Sequence, residues 1–317
     1  MANPVPPASR AEPRVAIITF TTLALALVIV GCSSNDGSGR GSPASPAAPV
    51  TNIGARPPGT GPFIYPLAVG DRWRYEAHST IQMVDASGTH PISAWDTSQQ
   101  DEITGTMTVD ALDYFFLHTA YVDNGFPGSS QVLFRQDGAG LFDRLVPTEA
   151  AALGGARPAR ALAPRPEELL RALAGRPDAE RLAERAATLA HRTLELVARS
   201  RRALRPADGA APGELTLLRY PLTPARSWDV GSTPVETRQV IGRMRLITPA
   251  GALVVWRVQS VPSYFGAGDQ LEFWYADVGY AGYRVHTEDV LDTGDPAHPA
   301  GTLVMESEGM LAEVHLN

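Results

Sequence analysis

Alternation of apolar and polar positions runs through most of the chain beyond residue 63 and predicts a protein built mainly from β-strands. Trp73, Tyr75 and Ala77 alternate with Arg74, Glu76 and His78, which gives a strand with one buried face. Ile103, Gly105, Met107 and Val109 alternate with Glu102, Thr104, Thr106 and Thr108 in the same way. Leu112 to Val122 carries Tyr114, Phe115, Phe116 and Leu117 in an unbroken run and so predicts a central strand covered on both faces. Turn signals at Asn124-Gly125 and Pro127-Gly128 lead into a strand at Gln131 to Arg135, and Gly138 to Val146 completes an antiparallel meander.

The period changes after Pro147. Pro166 to Leu173 predicts a short helix ending at Gly175, and Pro177-Asp178 opens a second. Leu182, Ala186, Leu189, Leu196 and Val197 then recur at helical spacing, for a helix about 40 Å long if it runs from Asp178 to Leu204. Strand periodicity returns at Leu215. Met244 and Leu246 oppose Arg243 and Arg245, and Pro249-Ala250-Gly251 turns the chain. Val254, Trp256 and Val258 alternate with Arg257 and Gln259, and Leu271, Phe273 and Tyr275 flank Glu272. Leu303 with Met305, and Met310 with Ala312, Val314 and Leu316, supply two last strands. The predicted fold is a curved antiparallel sheet or half-barrel of two meander halves, 63–146 and 214–317, with a helical insertion at 147–213.

The segment before residue 63 has a different character. Met1 to Arg14 is polar, and Val15 to Val30 is sixteen residues without a charge, which fits a secretory signal. Val15 to Cys32 also reaches the lower edge of the length that spans a membrane. The run ends at Ile29-Val30-Gly31-Cys32-Ser33, around the only cysteine among 317 residues. This junction resembles a bacterial lipobox, with Ile29 where leucine is usual. The resemblance implies a signal peptide at 1–31 and a diacylglyceryl thioether on Cys32, whose two acyl chains give stable anchoring. Ser33 stands where an inner-membrane retention signal has Asp, so the sorting rules imply the outer membrane where the cell has one. Ser33 to Pro62 is rich in Ser, Gly, Pro and Ala and reads as a flexible tether within the 32–62 segment, reaching about 30 Å.

Two motifs of the β region carry a second resemblance. Tyr65-Pro66-Leu67-Ala68-Val69-Gly70-Asp71-Arg72-Trp73-Arg74-Tyr75 and Trp274-Tyr275-Ala276-Asp277-Val278-Gly279 resemble the opening and closing signatures of a loosely defined set of secreted and lipid-anchored bacterial β proteins without assigned activity. One glycine of the closing signature is missing here. Tyr220-Pro221-Leu222 with Trp228 repeats the spacing of Tyr65-Pro66-Leu67 with Trp73, a sign of two related halves.

Charge adds one feature to this picture. The net charge is −7, yet Arg157 to Pro206 holds twelve arginines against six acidic residues, a net of +6 that leaves −13 for the remainder. Arg181, Arg185, Arg192 and Arg199 edge the long helix and form a candidate docking surface, although a packed helix with a solvated arginine edge has the same pattern.

Motifs for catalysis are missing. No G-x-S-x-G elbow occurs, the seven histidines form no H-x-x-x-H pair, and no phosphate-binding loop is present. Asp289, Asp292 and Asp295 do not match the spacing of a calcium loop. The expectation is therefore a non-enzymatic envelope protein without cofactor, metal or nucleic-acid partner. Its partners are the membrane through the anchor and either a hydrophobic ligand or an envelope protein. The ligand-facing candidates are Trp73, Tyr75, Phe115, Phe134, Trp256, Phe273 and Tyr275, and core packing accounts for the same residues. A structural or assembly role through the basic helix is the alternative, and an envelope enzyme the third. Replacing Cys32 by Ser is expected to leave the leader uncleaved and the chain without its lipid, which intact-mass spectrometry of the membrane fraction measures.

Overall fold

In a computed structural model of the chain, a single antiparallel sheet curls until its edges nearly meet. The structure describes residues 63–123, 126–146, 164–176, 178–197, 202–203, 210–211, 213–233, 235–291 and 301–317. The lipobox, the tether and Arg199 lie outside them. The first half contributes β1 (Arg72–Asp85), β2 (Gly88–Val109), β3 (Leu112–Asp123), β4 (Phe126–Gln136) and β5 (Gly140–Leu145). Helices α1 (Pro166–Ala172) and α2 (Ala179–Val197) and the short β6 (Arg202–Ala203) follow. The second half comprises β7 (Glu214–Arg219), β8 (Ser227–Asp229), β9 (Ser232–Thr233), β10 (Glu236–Thr248), β11 (Gly251–Pro262), β12 (Gln270–Ala276), β13 (Gly279–Leu291) and β14 (Gly301–His315).

Twelve strands form the sheet in the order β7-β5-β4-β3-β2-β1-β14-β13-β12-β11-β10-β8, while β6 and β9 make a separate ribbon. The two meanders are thus joined back to back by β1 and β14, which pair from Arg72 with His315 to Val84 with Thr302. The outermost strands, β7 and β8, are consecutive in sequence, and the loop that links them carries a cis Tyr220-Pro221 bond. The Thr216 N–H donates to the Val230 carbonyl at 2.9 Å, the Trp228 indole N–H to the Thr216 carbonyl at 3.1 Å, and the Arg238 guanidinium to the Leu217 carbonyl at 2.9 Å. These bonds occupy edge groups that would otherwise invite another chain.

The inward faces form two apolar clusters separated by a polar belt. The larger contains Trp73, Tyr75, Ile103, Leu117, Phe134, Leu271 and Phe273. The smaller places Ile81, Met83, Trp95, Leu303 and Met305 against α1 and α2. Leu182, Ala183, Ala186, Leu189, Ala190 and Leu194 make the buried stripe of α2, of which the sequence predicts Leu182, Ala186 and Leu189, while the side chains of Leu196 and Val197 lie outside the described residues. In the belt, Ser79 donates to Ser307 at 2.8 Å, and Asp101 accepts from Gln99 and Thr119, both at 2.8 Å. Such buried pairs hold strand register, because a slip would leave each group unmatched.

The opening and closing motifs meet in the larger cluster. The Trp73 indole N–H donates to the Val278 carbonyl at 2.6 Å, and the Tyr75 hydroxyl to the Tyr280 carbonyl at 3.2 Å. Gly279, at φ +108°, would set a Cβ 2.9 Å from the Trp73 indole nitrogen and 3.3 Å from the Tyr65 ring. The Tyr-Pro-Leu repeats meet as well, since the Tyr65 N–H and the Tyr220 hydroxyl both donate to the Gln136 side-chain oxygen, at 2.9 and 2.6 Å.

Several local expectations change. A bulge between Ile103 and Gly105 reverses the faces of β2, so Met107 is exposed where strict alternation would bury it. Pro127-Gly128 lies inside β4 and not in a turn, and a Cβ at Gly128 would fall 2.3 Å from the Tyr121 ring. Helix α2 is described as far as Val197, and Arg202–Ala203, inside the expected helix to Leu204, pairs with β9 instead.

The hairpin of β10 and β11 departs most from its pattern. Pairing of β11 with β12 runs only from Ser260 to Trp256, and beyond Trp256 the hairpin leaves the sheet as a strap. Val258 is buried within the sheet, but in the strap Val254 is exposed and the opposite face, Leu246, Leu253 and Val255, is buried instead. Those three join the cluster that holds Trp274 and Met310, and the tip is fixed by the Ala250 N–H donating to the Leu311 carbonyl at 3.2 Å. Covered on both sides, Phe273, Trp274, Tyr275 and Ala276 are all buried.

Burial of roughly 200 Å² of an indole contributes about 5 kcal/mol, against about 1 kcal/mol for its hydrogen bond, so packing dominates at Trp73. Trp73→Phe is expected to lower unfolding free energy by about 1–2 kcal/mol and Trp73→Ala by about 3–5 kcal/mol. Gly279→Ala is expected to cost about 1–3 kcal/mol through its backbone angle and the Trp73 contact. Urea unfolding of the three variants measures the order.

Candidate functional site

The seven aromatic candidates are distributed through the packed interior. Trp73, Tyr75, Phe134, Phe273 and Tyr275 are buried at 1–6% exposure and belong to the main cluster, while Phe115 and Trp256 are half-buried against it. Rings contact one another there: Tyr65 lies 6.1 Å from Trp73 and 6.3 Å from Phe134, and Tyr280 lies 5.5 Å from Tyr75 and 5.6 Å from Tyr275. The buried candidates therefore each contact neighbouring rings of the chain itself. Only Trp256 presents part of its ring to the strap's solvent face, where the Arg243 guanidinium lies 4.1 Å above it.

The arginine edge of α2 is turned largely toward the protein itself. Arg185 donates to both carboxylate oxygens of Asp289 at 2.8 and 2.7 Å and to the Val290 carbonyl at 2.9 Å. Arg192 reaches the Glu288 carbonyl at 3.3 Å and stands 3.6 Å from Asp269. Arg181 is exposed. The helix is packed, and the acidic stretch at Asp289 serves as its counter-charge.

Two buried ionic networks stiffen the wall. Glu214 is fully buried and accepts from the Arg135 guanidinium at 2.7 and 2.8 Å, from the Tyr114 hydroxyl at 2.6 Å and from the Ala211 N–H at 2.6 Å. Burial alone would raise its pKa, but these donors hold the carboxyl below the usual range. Glu236 accepts from Arg238 at 2.9 Å and from the Ser260 hydroxyl, and Arg238 lies 4.6 Å over the Phe273 ring. Both networks pair their charges within the chain. Among the described residues, no group of three or more His, Cys, Asp or Glu side chains is placed to hold a metal ion.

An open groove of about 640 Å³ lies on the outer face instead, where the strap's tip reaches β14. Glu76 and His78 of β1, Asp96 and Ser98 of β2, Val122 of β3 and Glu308 and Met310 of β14 line it, with Ala77 and Thr97, and Pro249 closes one side. His78 and Asp96 are in contact at 2.7 Å, and Arg74 bridges Glu76 at 2.7 Å and Glu313 at 2.5 Å. Sequence reasoning missed this site because its residues come from five strand or turn segments. The available signals were the polar face of β1 at Glu76 and His78 and the Pro249-Ala250-Gly251 turn.

No protein-family model matches the chain, and no curated protein matches it. Two solved structures are similar. One is a candidate lipoprotein from Parabacteroides distasonis, at 12% identity and a TM-score of 0.29 over 81% of this chain and 100% of that one. The other is a candidate exported protein with a YmcC-like fold from Bacteroides fragilis, at 9% identity and a TM-score of 0.31 over 80% of this chain and 100% of that one.

Glu214→Gln takes the buried carboxylate from Arg135 and leaves it only the half-exposed Asp137 as counter-charge, which is expected to cost about 3 kcal/mol. Because the folded pKa is depressed, the carboxylate's contribution is complete above the unfolded carboxylate range and fades as pH falls through the folded value. Wild-type stability should accordingly drop more steeply than that of Glu214→Gln on acidification below about pH 5, as followed by urea titrations at stepped pH.

Proposed function

We propose that this is a lipid-anchored cell-envelope protein that acts by non-enzymatic binding, and that it binds at the outer groove beside the strap. The lipobox-like junction at Cys32 supports the anchor, and Ser33 supports the outer membrane in a cell that has one. The groove carries the binding reading, because it joins an apolar floor, Met310 and Val122, to the carboxylates of Glu76, Asp96 and Glu308 in one open concavity. A polypeptide segment with basic residues flanking an apolar side chain satisfies both parts. Apolar contact would supply affinity, and the rim charges would set register and association rate.

A hydrophobic ligand inside the sheet has less support, since its proposed contacts already pack against one another. Partner docking through the basic helix has less support as well, since Arg185 and Arg192 are engaged within the chain. A photo-crosslinking residue at Met310, in protein retained in its own envelope, is expected to give a discrete adduct. The same residue at Val290, which is 55% exposed and outside the groove lining, is expected to give none. Equal labelling at both positions, or none at Met310, would sink the reading.

A further inference from the structure

We propose that the partner of the groove is a second copy of this chain, whose strap seats in it. This rests on the groove being the binding site. The strap's solvent face pairs Arg243 with Trp256, Arg245 with Val254 and Ile247 with Ala252 across β10 and β11. Ile247 is 64% exposed and Val254 52%, although the strap's other face is buried in the main cluster. Among the described residues, neither Arg243 nor Arg245 has an ion-pair partner within 4 Å, in contrast to Arg185, Arg238 and Arg257. The strap thus displays aliphatic side chains beside two cations on a chain that is acidic overall.

The groove is the complement of that surface. Asp96 and Glu308 rim it and Met310 and Val122 form its apolar part. Arg284 stands across from Glu308 on β13, and Asp96 has only the His78 imidazole beside it, at 2.7 Å, so an incoming guanidinium meets an exposed carboxylate there. Arginines beside aliphatic residues face carboxylates beside aliphatic residues, and burying both pairs removes the exposed apolar patch. Position favours a closed pair. Pro249 is at once the strap's tip and one side of the groove, so donor and acceptor surfaces are neighbours. A two-fold rotation then lets each strap enter the other copy's groove, which closes a dimer and avoids an open filament.

Sedimentation equilibrium of the full mature chain in detergent tests this, with wild type expected to be dimeric. Arg245→Asp and Asp96→Arg each reverse one exposed charge, so the fold is expected to hold by circular dichroism while the dimer dissociation constant rises at least tenfold. Combining the two restores opposite charges across the interface and is expected to recover most of the loss. A double variant no better than either single one would overturn the strap-in-groove pairing. A monomeric wild type that still gives the Met310 crosslink to another protein would overturn self-association and leave the groove reading standing. A monomer with no crosslink would remove both.

Discussion

The fold depends on the contact between Trp73 and the turn from β12 to β13. Trp73 begins the first strand of the first meander, and Val278 and Gly279 turn the second, 205 residues later. Pairing of β1 with β14 alone would join the halves as an open sheet. The indole, inserted against a glycine with no room for a Cβ, also draws the inner faces together at one end. The β7 and β8 edges then come within hydrogen-bonding distance, and Trp228 caps the Thr216 carbonyl as Trp73 caps that of Val278. Two tryptophans with the same sequence spacing from a Tyr-Pro-Leu segment therefore perform related closures.

Filling the interior this way determines where binding is available. Large aromatic side chains, two helices and a belt of hydrogen-bonded polar groups pack against the inner surface. Arg185 and Arg192 of the insertion hold α2 to β13, where a half-exposed pair is worth about 1 kcal/mol and orientation matters more than energy. Among the described residues, exposed apolar surface gathers on the outer face beside the strap. There a hairpin that has left its sheet creates both a groove at its tip and a strip of exposed Ile247 and Val254 along its back.

Much of the fold was legible because period-2 alternation reports pairing directly. The two meanders, the helical insertion and the buried stripe of α2 follow from it. What alternation does not report is which face is buried once a strand bulges or leaves the sheet. Met107 was expected inside and lies outside because Thr104 is an extra residue in β2. Val254 shares its parity with Val258, yet only Val258 is buried, because the strap crosses to the other side of its neighbours. The groove was invisible for the same reason, since Pro249 meets Met310 only after that crossing.

Native mass spectrometry of the mature protein extracted from its own envelope tests the central claim that the inner surface belongs to the chain's own side chains. The account predicts a mass equal to the polypeptide plus the proposed Cys32 anchor for each protomer, with no further lipid or metabolite lost on gentle activation. A stoichiometric apolar ligand released together with a change in near-ultraviolet tryptophan signal would contradict it, and would return Trp73, Phe134 and Phe273 to the role of a pocket lining.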